Sequence, residues 1–207
     1  MPSSTIAVIG AGNIGGTLAR KWVAAGHRVI LGVRDPAGPR ASALVSELGR
    51  RCTAAPVREA ASAGEVVVFA IPGSAMPSAM AGLQGHLRGR IVIDATNQLG
   101  DAGPAHSFDV ITRTCPTAFV YRAFNAFGWE ILADPIVEDT VVDLFFAGPD
   151  GAGRATVAGL IEDVGLRPVW VGGPERADLV DALAALWFAL VLDKSRGHRL
   201  AFKLLGA

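Results

Sequence analysis

Hydrophobic positions along this chain fall into runs of two alternating kinds. Short β-branched blocks predict strands over Thr5–Ile9, Arg28–Val33, Val66–Ile71 and Ile91–Asp94, and again over Ala118–Phe124, Leu144–Ala147 and Pro168–Val171. Ala-rich stretches between them predict helices over Asn13–Ala25, Ala41–Gly49, Met76–Leu87 and Ala152–Val164. In the first helix Ile14, Leu18, Trp22 and Ala25 follow at spacings of 4, 4 and 3, which is one helical face, and Gly26 is the expected stop. The strand blocks are nearly unbroken apolar runs. Such strands are covered on both faces, so the pattern predicts an α/β, doubly wound, mainly parallel sheet with helices front and back.

The chain closes with Arg176–Leu192, a helical run that is apolar nearly all round. A helix without a polar face must be covered on every side. It is expected either to pack in the core, or to form a homodimer interface or a wall beside a flat apolar ligand, with Trp187 and Phe188 as contacts. Within it, Ala182–Leu192 falls well short of the roughly 20 residues that a membrane span needs. The glycines, proline and aspartate of Gly100–Ser107 mark a loop.

Composition narrows the function classes. Nineteen basic and nineteen acidic side chains cancel, which leaves no electrostatic footprint for nucleic acid or an anionic membrane. Cys52 and Cys115 are too few and too far apart for a disulfide framework or a zinc site, and no metal is expected. The start of the chain lacks the basic, apolar pattern of a secretory signal, so a cytoplasmic protein is expected.

The sharpest local signal is Gly10-Ala11-Gly12-Asn13-Ile14-Gly15, between a predicted strand and a predicted amphipathic helix. Gly10 allows the sharp turn, Gly12 lets a diphosphate approach the backbone, and Gly15 lets the helix pack closely on the sheet. Unpaired N–H groups in the helix's first turn favour a dinucleotide diphosphate. This context makes the fold Rossmann-type. The end of the second strand reads Val33-Arg34-Asp35-Pro36, with Val33 where NAD sites carry an acid. A guanidinium at Arg34, with Arg40 as a second contact, suits a 2′-phosphate and points to NADP(H). Asp35 is the opposing observation, since it could serve as the ribose acid if its loop turned inward.

Further candidates lie past the strand ends, where a doubly wound sheet binds its ligands. Ala70, Ile71 and Pro72 end one strand and would pass beside a ribose of the cofactor. Asn97 and Asn125 end the next two and suit a carboxamide or the pyrimidine edge of a flavin-like ring. Hydride transfer to such a ring asks for alignment rather than for reactive side chains, and no catalytic residue is assigned. His27, His86, His106 and His198 share no spacing; His27 is expected to be structural. A carbonyl or imine reductase would want a proton donor, for which Asp193-Lys194 is the candidate pair; Tyr121, the sole tyrosine, lies inside a strand.

These motifs, together with Leu31-Gly-Val-Arg-Asp-Pro36, Ile93-Asp-Ala-Thr-Asn97, Ala123-Phe-Asn125, Gly173-Pro174 and Ala201-Phe-Lys-Leu-Leu205, resemble the coenzyme F420-dependent NADP oxidoreductases along nearly the whole chain. The family's usual hydroxyl residue before the arginine is Val33 here. Its usual Pro after the Thr-Asn pair is Gln98, and its usual Thr after the Ala-Phe-Asn trio is Ala126. The resemblance implies a dimer that moves hydride between NADP(H) and a deazaflavin or flavin. It implies a second-substrate pocket at Asn97, Asn125, Phe127 and Trp187. Residues 1–125 are then the NADP-binding domain. Residues 126–207 supply strands and helices that complete the sheet, the second-substrate pocket and the dimer interface. An NADPH-dependent reductase of a small carbonyl or imine, and a non-catalytic NADP-binding sensor, remain as alternatives.

Overall fold

The computed structural model describes residues 3–98, 106–192 and 197–206. Six parallel strands form the sheet: β1 (Thr5–Ile9), β2 (Arg28–Val33), β3 (Cys52–Pro56), β4 (Val66–Phe69), β5 (Ile91–Asp94) and β6 (Phe119–Arg122). Their order is β3-β2-β1-β4-β5-β6. The order reverses between β1 and β4, and at such a switch point the loops diverge and open a crevice at the C-terminal strand ends.

Alternation along each strand splits the core in two. Ile6 and Val8 of β1 face one layer with Leu18 and Trp22 of α1 (Asn13–Ala24). Ala7 and Ile9 face the other with Ala60 and Ala61 of α3 (Val57–Ala63). The first layer also holds Leu44 of α2 (Pro39–Leu48) and Leu160 of α7 (Ala152–Val164). The Trp22 indole N–H donates to the Leu160 carbonyl at 3.0 Å, and its ring meets Phe124 edge-on at 5.8 Å. The second layer is closed by α4 (Met76–Met80) and α5 (Phe108–Thr114). Among the described residues no helix is long and apolar enough to cross a membrane.

Several expectations change. The strand at Cys52–Pro56 and helix α3 were not legible: the strand is a short edge element of small residues, and Pro56 ends it. Met76–Leu87 is helical only to Met80, because Gly82, Gly85 and Gly89 take left-handed φ of 82°, 81° and 66°. The late strands do not complete the main sheet. β9 (Asp143–Phe146) and β10 (Arg167–Trp170) form their own parallel pair. One antiparallel bridge, Arg122 with Ala147, joins that pair to the end of β6. Between β6 and β9 lie α6 (Trp129–Ala133) and a hairpin, β7 (Ile136–Val137) with β8 (Thr140–Val141). The last helix, α8 (Ala177–Val191), buries Val180, Ala184, Trp187 and Val191 but leaves Leu179 and Leu186 about half exposed, at 53% and 49%. It is therefore a core helix with one open apolar face.

The segment 197–206 is clasped to β9. The Asp143 carboxylate is fully buried and accepts from Arg167 at 2.7 and 2.5 Å, from Lys203 at 2.8 Å and from the Leu204 N–H at 2.7 Å. Burial pushes its pKa up, but the two cations and the amide outweigh this and hold it at about 2. Such a depressed carboxylate contributes stability above its unfolded pKa near 3.9 and loses it as pH falls through about 2. Asp143→Asn is expected to cost about 3 kcal/mol at neutral pH, because a buried charge pair loses one partner. In urea melts the gap between wild type and variant should close between roughly pH 4 and pH 2; a gap unchanged at pH 2 would contradict the clasp.

Candidate functional site

The site begins where β1 turns into α1. Gly10 sits at φ +108°, and a Cβ there would lie 2.5 Å from the Ala70 carbonyl oxygen and 2.8 Å from Ile71 Cγ2. A Cβ on Gly15 would run into the Gly10 carbonyl oxygen. Gly12 differs: a Cβ there meets nothing within 4 Å. No side chain caps α1 and no acid lies in its first turn. The helix thus presents its positive end to open space, as an anion requires. Asn13 is exposed at this end, and Ile14 anchors the turn against the core.

A cleft of about 530 Å³ runs from Gly12 and Asn13 along α1 to Arg40 on α2, with Arg20 and Trp129 on its rim. Arg20 is spent on a bidentate pair with Glu47 at 2.6 and 2.7 Å. Arg40 and Arg34 are exposed and make no side-chain bond with any described residue. Val33 is half-buried beneath Arg34. The Asp35 carboxylate turns onto its own loop, where it accepts the Ala37 N–H at 3.1 Å. A second loop bond, from the Gly38 N–H to the Asp35 carbonyl, closes that turn. The acid beside Arg34 is therefore a turn former, and it leaves the guanidinium unpaired among the described residues. These residues fit the phosphates of NADP(H).

From there the strand-end loops are tied in a row. The Ala70 N–H donates to the Ile9 carbonyl at 2.9 Å, and Ile71 and Pro72 follow at the crevice. The Gly73 N–H donates to the Asn97 carbonyl at 3.1 Å, and Asn97 Nδ2 donates to the Asn125 carbonyl at 2.9 Å. Asn97 and Asn125 are thereby brought together. Asn97, however, has both ends of its amide in use, because its Oδ1 accepts Arg122 at 2.9 Å. Phe127 and Trp187 are 5% and 4% exposed and belong to the core, with the Trp187 indole N–H bonded to the Leu200 carbonyl at 2.7 Å.

The hub of this row is a side chain that the sequence reading passed over. Arg122 has no exposed surface, and its guanidinium donates to Asp181 at 2.7 Å, to the Asp94 carbonyl at 3.1 Å and to the Thr96 carbonyl at 2.5 Å. Asp94, also without exposed surface, stands 3.4 Å from it and accepts the Thr96 N–H and hydroxyl and the Ser107 N–H. Asp181 reaches in from α8 and also accepts the His106 N–H at 3.0 Å and Asn125 Nδ2 at 3.3 Å. The sequence signal was present: Asp94, Arg122 and Asp181 are charges set in apolar runs, and buried charges need partners. At the turn out of β6, Phe124 takes φ +64°, a strained value for a bulky residue. The next residue, Asn125, is 2% exposed, and its Oδ1 has no hydrogen-bond partner among the described residues. Such a buried orphan costs about 1–3 kcal/mol.

The other sequence candidates are placed elsewhere. His27 is structural as expected, accepting the Ser4 N–H and pairing with Asp163 at 2.9 Å. His86 pairs with the Ser62 hydroxyl at 2.8 Å, and His106 with Asp178 at 3.2 Å. His106, Asp178 and Asp181 bring possible ligand atoms within 4.8 Å of one another, but Arg122 already occupies Asp181. His198 is exposed. The Tyr121 hydroxyl donates to the Pro149 carbonyl at 2.9 Å, and burial pushes its pKa up. Asp193-Lys194 lies outside the described residues.

A parallel six-stranded sheet with an open glycine turn defines a Rossmann-type fold, and the family and structural matches make the protein an NADP-dependent oxidoreductase. Residues 5–98 match the family described as NADP oxidoreductase, coenzyme F420-dependent. A protein from Arthrobacter sp. FB24, proposed to be an F420-dependent NADP reductase, superposes with a TM-score of 0.85 at 26% identity, over 99% of this chain and 100% of that one. A hypothetical protein from Sinorhizobium meliloti is 30% identical over 82% of this chain and 85% of its own, with a TM-score of 0.71. An imine reductase from Streptomyces aurantiacus shares the fold at 22% identity and a TM-score of 0.71; this chain is matched over 91% of its length and spans only 62% of that enzyme.

The glycines separate packing from binding. Gly15→Ala is expected to destabilise the fold by about 1–3 kcal/mol, since backbone cannot yield as a flexible side chain does. Gly12→Ala should leave the melting temperature within a degree or so while its methyl enters the space before the α1 amides. Thermal melts of both variants, with a nucleotide titration of the second, check this.

Proposed function

We propose that this chain passes hydride between NADP(H), held by the glycine turn, Arg34 and Arg40, and a deazaflavin or flavin ring at the ends of β4, β5 and β6. The observation that carries the cofactor half is the uncapped α1 terminus opening on a cleft that reaches Arg40, with the exposed Arg34 making no side-chain bond to a described residue and Asp35 turned onto its own loop. NADPH supplies the hydride, two electrons with one hydrogen nucleus, and the acceptor ring completes its reduction with a proton from water. The protein's part is placement. The α1 amides and Gly12 take the diphosphate, Arg34 and Arg40 the 2′-phosphate, and Ala70, Ile71 and Pro72 bound the ribose.

The ring acceptor is favoured by how the polar side chains near the strand ends are used. Among the described residues at the strand ends, Asp94 and Asp181 are engaged with neighbours, so neither is free to serve a carbonyl or imine as a proton donor. The family matched over residues 5–98 carries coenzyme F420, a deazaflavin, in its description. Stopped-flow mixing of NADPH with an oxidised deazaflavin, or with riboflavin, should bleach the acceptor. Turnover of imines or carbonyls without ring reduction would move the assignment to the reductase alternative. Tight binding without any turnover would make the chain a sensor. Arg34→Glu is expected to weaken NADPH binding at least tenfold and NADH binding little, read by calorimetry, because a paired charge-assisted contact becomes a repulsion. NADH bound as tightly as NADPH by the wild type would remove the role given to Arg34.

The open face of α8, with Leu179, Ala182, Leu186 and Ala189, suits a second copy of this chain, since two half-exposed leucines on it lack cover from this chain. Light scattering should give twice the chain mass, and Leu186→Glu should halve it.

A further inference from the structure

Resting on the reading that a nicotinamide and a second ring meet at the strand ends, we propose that Asn125 Oδ1 accepts an N–H from a planar carboxamide or imide bound there, with Asp181 as the positioning residue that turns the amide. Three observations converge. Asn125 Oδ1 is the one buried side-chain polar atom among the described residues that has no partner. Its orientation is determined by chemistry: Asp181 Oδ1 only accepts, so the Nδ2 end must face it, and the carbonyl end is left over. The residue is held from every side, by Asn97 Nδ2 on its carbonyl, by Asp181 on its amide, and by the left-handed Phe124 before it. A strained backbone and a rigid amide that leave an acceptor unpaired are what a preorganised recognition group requires.

The position agrees with the chemistry. The row Gly10, Ala70, Gly73, Asn97, Asn125 starts at the α1 terminus, where a diphosphate belongs, and ends at β6. A dinucleotide anchored at one end of this row lays its second base toward the other. Two rings can bring the required donor: the nicotinamide through its carboxamide NH2, or the hydride partner through the imide N–H of its pyrimidine edge. Both are planar N–H donors, and an acceptor such as Asn125 Oδ1 rejects analogues that lack the hydrogen.

Wild type, Asn125→Ala and Asp181→Asn are titrated by calorimetry with NADP+ and with its nicotinic acid analogue, which has a carboxylate in place of the carboxamide. Each is also assayed for the KM and kcat of riboflavin and of N3-methylriboflavin. If the carboxamide is the donor, wild type should prefer NADP+ roughly tenfold, Asn125→Ala should bring the ratio near one, and Asp181→Asn should strengthen binding of the acid analogue, because the freed amide can present its NH2. If the imide is the donor, the nucleotide ratio stays put, the N3-methyl analogue raises KM about tenfold with little change in kcat, and Asn125→Ala erases that difference. A packing role alone would move melting temperature but neither ratio. Wild type that treats both members of each pair alike overturns the proposal without any variant, as does a folded Asn125→Ala that keeps both preferences. Should Asn125→Ala fail to fold, Asn125→Ser, which keeps a donor for Asp181 and lacks the carbonyl, is read in the same way. Failure of wild type to bind NADP+ at all would instead remove the cofactor reading.

Discussion

A guanidinium sealed from water organises the working edge of this protein. Arg122 has no exposed surface, yet five donors of its fork lie among Asp94, Asp181, Asn97 and two backbone carbonyls. Breaking such a buried pair by removing one partner costs about 3–5 kcal/mol, because the remaining charge is stranded. The partners come from β5, from the loop after β5, and from α8. None of those elements can shift without exposing a charge to a low-dielectric interior. The geometry of the strand ends therefore rests on electrostatics more than on loop sequence.

The opposite end of the crevice is built on the reverse principle. There the groups are left unsatisfied and open: the amides of α1, the Arg34 and Arg40 guanidinia, and the space before Gly12. Water satisfies them until an anion arrives, and neither a capping side chain nor a first-turn acid competes for the place. An end that is charged and exposed is thus joined to a far end that is charged but internally neutralised. On the proposed function, NADP(H) would gain its hold at the first and the acceptor ring would meet the second.

Much of this was legible in the residues. The parallel sheet followed from unbroken apolar strands, and the glycine turn from its place between strand and helix. What escaped notice had weak local signals. Cys52–Pro56 is an edge strand of small side chains, and its identity comes from pairing with β2 along Val29–Val33. The fate of β9 and β10 depended on Arg122, whose backbone bridges Ala147 while its side chain dives beneath the sheet edge. The role of Asn97 could not be separated from that of Asn125, because long-range partners decided it: Arg122 took the first amide and Asp181 the second.

The clasp on Asp143 bears on how the chain tolerates cutting. Lys203 and the Leu204 amide are two of the groups that neutralise a carboxylate buried beneath β9, and the same stretch supplies the Leu200 carbonyl that holds the Trp187 indole. A peptidase that trims only Leu205 and beyond removes an 80% exposed side chain and little else. One that cleaves before Leu200 unhooks the helix whose Asp181 sets the strand-end network, so proteolytic nicking a few residues apart has opposite consequences for the crevice.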